Sequence, residues 1–151
     1  MGTEPDFWHR MAAFMLFVAV TLWVGSALHL TGAVHGRTKS FSASGAGTAE
    51  LVIGIVIAAG AAAVQIGGER GRPVGLAAIG FTIVGFLVGL NFTTRGGALP
   101  DIAYHLTMLP LLVIGFIVLL RHGAHRQGKG LGASASSPLA GDAAVAPLSR
   151  G

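Results

Sequence analysis

Four apolar runs, each long enough to cross a bilayer, constrain this chain more than any other feature. They cover residues 11–30, 49–66, 74–92 and 102–120. A helix of about 20 residues rises roughly 30 Å, the thickness of the hydrocarbon layer. None of the runs carries the charges that would give a soluble amphipathic helix a wet face. In lipid, a spanning segment has to satisfy its backbone groups internally unless strands close into a barrel. The expected fold class is therefore all-α: an integral membrane four-helix bundle. Composition agrees, with 52% hydrophobic and 11% charged residues and a mean hydropathy of +0.71, where a soluble domain carries about 25% charged residues. The 24 glycines lack the three-residue period of collagen and suit the small-residue contacts of membrane helices. There is no cysteine, which excludes disulfides, thiolate metal sites and cysteine nucleophiles.

Around the runs the chain divides simply. Residues 1–10 form a polar lead with Trp8 as an expected interfacial anchor. That lead is not positively charged and the run behind it is too long for a cleaved signal peptide, so the first run reads as a retained span. A Ser- and Gly-rich loop over 31–48 and the turn over 67–73 follow, with Pro73 suited to the first helical position. Residues 121–151 read as a tail that is basic at first and disordered from Gly128, since it has little large apolar surface to bury. Arg121, Arg126 and Lys129 are expected to contact lipid headgroups. GAHRQGK at 123–129 matches part of a phosphate-binding loop, but Gly130 stands where Ser or Thr is required and no strand precedes it.

Basic residues also predict orientation. Arg10, Arg70, Arg72, Arg121, Arg126 and Lys129 share one side, and Arg37, Lys39 and Arg95 the other. The excess puts both termini in the cytoplasm. With a net charge of +4 placed beside apolar runs and no basic face interleaved with aromatics, the expected partner is the lipid bilayer, not nucleic acid. A membrane-protein partner or a second copy is also open.

Polar chemistry concentrates where the third run gives way to the fourth, over residues 89–110, which hold Asn91, Arg95, Asp101, Tyr104 and His105. Asp101 and His105 are spaced i, i+4 and share a helix face. Pro110, further along, leaves the Leu106 carbonyl without its usual helical donor. An antiparallel bundle brings His29, at the end of the first run, and Glu50, at the start of the second, to the same depth. His29, Glu50, Asp101 and His105 are thus candidate metal ligands or proton carriers. The rival reading makes each carboxylate a dipole complement in a first helical turn, facing headgroup water. His29 and His105 are also the candidate axial ligands for a haem. No cofactor is required by the sequence; haem and quinone are the two candidates.

A small four-span protein with His-Leu closing its first span (His29-Leu30) and Glu-Leu-x-x-Gly opening its second (Glu50 to Gly54) resembles the DoxX-like group. Asp101 to His105, a D-x-x-x-H opening the fourth span, is compatible. The resemblance covers roughly residues 11–120 and carries over Glu50 as the matching position. It implies a bacterial inner-membrane protein, in some members linked to quinol oxidation or oxidative-stress complexes. The cysteine-bearing segment of some members is missing here. No GxSxG, HExxH or paired-acid signature is present. The expected function is a non-catalytic accessory subunit, in one version redox-associated. One alternative is a membrane oxidoreductase or a quinone- or metal-binding protein using the His/carboxylate cluster. Another is a carrier of protons or small solutes, which would need an oligomer.

Overall fold

The computed structural model describes residues 4–34, 37 and 42–134, with side chains for all of these except 4, 5 and 123–134. It contains α1 (Glu4–Leu30), α2 (Ala43–Gly67), α3 (Arg72–Gly96) and α4 (Leu99–Ser134). All four are long and apolar enough to cross a membrane. Successive helices pack side by side, and α4 returns to α1 to close the bundle.

The helices reach beyond the apolar runs. α1 takes in the polar lead, where Glu4 and Asp6 suit a helix N-terminus. α2 begins well before the second apolar run because the Ser42 hydroxyl accepts the Gly45 amide and caps the first turn. The Ser- and Gly-rich stretch from Ala43 to Thr48 is therefore helix, not loop. α4 passes through Pro110 and continues past Arg121 to Ser134. The rest of the expected disordered tail, 135–151, lies outside the described residues, as do the side chains of Arg126 and Lys129. Arg121 is exposed.

One face of each helix meets the others. Met15 and Val18 of α1, Ile57 and Val64 of α2, Ile79 and Phe86 of α3, and Leu112 and Leu119 of α4 form the core. The opposite faces present Phe17, Ile55, Val84 and Ile114 outward. An apolar belt of this kind is a liability in water and the ordinary surface of a protein in lipid. Close approach depends on Gly60, where an added Cβ would overlap Ala78 Cβ and come within 2.9 Å of Met15 Cε.

At the end holding the start of α1, Phe7 stacks on His122 with ring centroids 3.7 Å apart, and Trp8 meets the same imidazole edge-on at 5.1 Å. Trp8 is buried. It is a packing residue, not the lipid-facing anchor expected, because α4 extends far enough to cover it. Arg72 donates to the Leu119 and Leu120 carbonyls at 3.0 and 2.7 Å, tying the start of α3 to α4.

The assignment of faces is testable within α2. Ile57 is fully buried and Ile55, two residues earlier, is 54% exposed. Ile57→Ala is expected to cost about 1–3 kcal/mol, mainly through lost packing contacts, and Ile55→Ala less than about 0.5 kcal/mol. Unfolding of the two variants in detergent compares them directly.

Candidate functional site

The opposite end of the bundle collects the polar groups. His29 comes from the last turn of α1, Glu50 from two turns into α2, Asp101 from the first turn of α4 and His105 from the next turn. All four are buried, at 4%, 7%, 8% and 6% exposure. His29 Nε2 lies 3.7 Å from Glu50 Oε1 and 3.8 Å from Asp101 Oδ2. His105 Nδ1 lies 3.5 Å from Asp101 Oδ1 and bonds the Asp101 backbone carbonyl oxygen at 2.8 Å. A carbonyl only accepts, so Nδ1 carries the proton and donates. In the neutral ring this leaves Nε2 as an acceptor.

The reading of the carboxylates as dipole complements in headgroup water fails for Glu50, which is outside the first turn because α2 starts at Ala43. Asp101 does occupy a first turn, but it points into the bundle. Glu50 Oε2 and Asp101 Oδ2 are buried with no hydrogen-bond donor in reach among the described residues. Buried carboxylate oxygens normally have hydrogen-bond partners.

Hydrogen bonds around the cluster hold it in place. Ser26 Oγ donates to the Gly47 carbonyl at 2.7 Å, joining α1 to α2. Thr21 and Tyr104 hydroxyls are 2.9 Å apart, joining α1 to α4. Arg37 ties the connection after α1 to the α3–α4 turn, donating through its amide to the Gly96 carbonyl and through Nε to that of Gly97. Two glycines give the side chains room. A Cβ at Gly25 would sit 3.1 Å from Glu50 Oε2, and one at Gly89 2.5 Å from His105 Nε2.

Beside the cluster lies a cavity of about 580 Å³ between α2 and α3, within the usual size range of small-molecule sites. Its wall is largely apolar, including Leu22, Ile53, Phe86 and Phe92, and it ends on Glu50, Asp101 and His105. Of the remaining sequence candidates, Tyr104 stands behind this wall with its ring against Phe86 and His105. Arg95 is exposed and lines the cavity rim; Asn91 is exposed and takes no part in it. Thr21, Ser26 and Phe86 are functional neighbours that the sequence does not mark. A lone hydroxyl or phenylalanine in an apolar run carries no signal until the neighbouring helix is known.

No protein-family model, curated protein or solved structure matches this chain. The site therefore rests on its own geometry.

The fit of His105 against α3 gives a local test. Gly89→Ala must displace the imidazole and is expected to destabilise by about 1–3 kcal/mol. Gly80→Ala on the same helix, where the added methyl meets Phe116 at an ordinary 3.7 Å, is expected to be neutral or to stabilise by up to about 1 kcal/mol. Thermal unfolding of the two variants in detergent separates them.

Proposed function

We propose that the chain is a small multi-pass membrane protein that binds a lipid-phase ligand of the quinol class, acting as a binding subunit within a redox assembly. The observation that carries this reading is an apolar cavity that ends on hydrogen-bond acceptors. Its polar end offers the carboxylate oxygens of Glu50 and Asp101 and the Nε2 of His105, with Arg95 out at the rim. A ligand matched to such a site is apolar along its length and donates hydrogen bonds at its head. The two hydroxyls of a quinol do so, and the ring sits against Phe86 as aromatic pairs commonly do. The absence of catalytic signatures and the four-span resemblance agree with an accessory role. The placement we propose is a bacterial inner membrane with both termini cytoplasmic, a reading supported by the resemblance and by the distribution of Lys and Arg. The site then faces the outer leaflet, and the redox partner is a second membrane protein or another copy.

Binding is tested by thermal unfolding of the purified chain in detergent with EDTA, titrated with a short-chain quinol. A concentration-dependent rise in Tm is expected, abolished by His105→Leu and retained by Asn91→Ala. An equal rise with an alkyl alcohol of similar length would reduce the effect to partitioning and overturn the reading. Orientation is tested in the cysteine-free chain: single cysteines at Ser42 and Ala98 should react with an impermeant thiol reagent in intact cells, and one at Arg70 should not. The reverse pattern would invert the protein in the membrane.

A further inference from the structure

His29, Glu50 and Asp101 pose a question that the cavity does not answer. His29 does not line that cavity, yet its Nε2 faces one oxygen from each of the two carboxylates. The separations, 3.7 and 3.8 Å, are too long for hydrogen bonds, which close at about 2.7–3.2 Å. They are near the span of two ligands sharing one ion: two bonds of about 2.1 Å opened to 110–120° set their outer atoms about 3.4–3.6 Å apart. The three ligand atoms all lie within 4.8 Å of one another, so a point roughly 2 Å from each exists with sub-ångström adjustment.

We infer that His29, Glu50 and Asp101 form a binding site for one first-row divalent metal ion, of the zinc, manganese or iron type. Burial makes the case stronger than proximity alone. The three side chains are only 3%, 10% and 7% exposed, and Asp101 Oδ2, one of the facing atoms, has no hydrogen-bond donor among the described residues. Two carboxylates at the edge of a membrane span carry a high desolvation cost, and a divalent cation balances both at once. One imidazole nitrogen with two carboxylate oxygens suits these metals. Thiolate-seeking ions find no sulfur ligand here, and calcium or magnesium would prefer an all-oxygen set. His105 acts as a positioning residue: its Nδ1–H bonds the Asp101 carbonyl and lies beside Asp101 Oδ1, holding Oδ2 toward His29. The ion would join α1, α2 and α4 at the end of the bundle remote from the Phe7–His122 stack.

The site uses His29, which the quinol reading does not need, so the two proposals fail separately. The test is made on the full-length chain in quinol-free detergent, stripped with EDTA and titrated with cobalt(II), then displaced with zinc(II). One equivalent of cobalt per chain is expected, with visible ligand-field absorption, and with a rise in Tm that a metal bound to the folded state must produce. His29→Ala, Glu50→Gln and Asp101→Asn should each weaken binding by at least about tenfold. A chain with His9, His35 and His125 all changed to Gln should bind like the parent. Since His29→Ala could disturb packing, the near-isosteric Glu50→Gln and Asp101→Asn carry the result if it does not fold. The inference is overturned if the parent chain takes up no cobalt or zinc at 100-fold molar excess. It is overturned equally if the three-histidine variant loses the ion, or if the folded Glu50→Gln and Asp101→Asn variants bind it undiminished.

Discussion

Ionisable side chains at the margin of a membrane have no bulk water to solvate them, and the architecture of this protein depends on how that cost is met. Four such groups sit at one end of the bundle, and each faces another. Because they come from three helices, their mutual approach sets how α1, α2 and α4 sit relative to one another at that end. The apolar faces along the rest of each helix are interchangeable by comparison, since lipid tails are as apolar as the leucines they touch and give packing little direction.

Close approach is what makes the arrangement feasible. Hydroxyl-to-carbonyl and hydroxyl-to-hydroxyl bonds from Ser26 and Thr21 fix α1 against both neighbours just below the cluster. Gly25 leaves space for the Glu50 carboxylate, and Gly89 lets His105 lie against α3. At the other end the bundle is held differently, by the Phe7–Trp8–His122 ring cluster and the Arg72 contacts to α4 carbonyls. One end is therefore an aromatic closure, and the other a polar cluster beside a cavity between α2 and α3.

The bundle was legible in the sequence because the bilayer writes its thickness into the apolar runs. Helix ends were less so: Ser42 and the small residues after it look like a loop by composition, yet they begin α2 once its first turn is capped. That displaced start is also why Glu50 resembled a first-turn acid. The meeting of His29, Glu50, Asp101 and His105 could be anticipated, because an antiparallel hairpin puts the end of one span beside the start of the next. The cavity could not, since it exists only in the separation of α2 from α3. Trp8 was misplaced because its cover, His122, lies in a part of α4 that the charge pattern had assigned to the tail.

The central claim is that His29 and Glu50 face each other directly inside the bundle. Exchanging them tests this with the smallest change in composition. His29→Glu alone crowds three carboxylates together, and Glu50→His alone removes the acid facing His29, so each single variant should lose thermal stability in detergent. The double exchange restores an imidazole facing a carboxylate. It should recover part of that loss, with a coupling of at least about 0.5 kcal/mol of opposite sign to the single effects. A double variant that loses the sum of the two single effects would contradict the account.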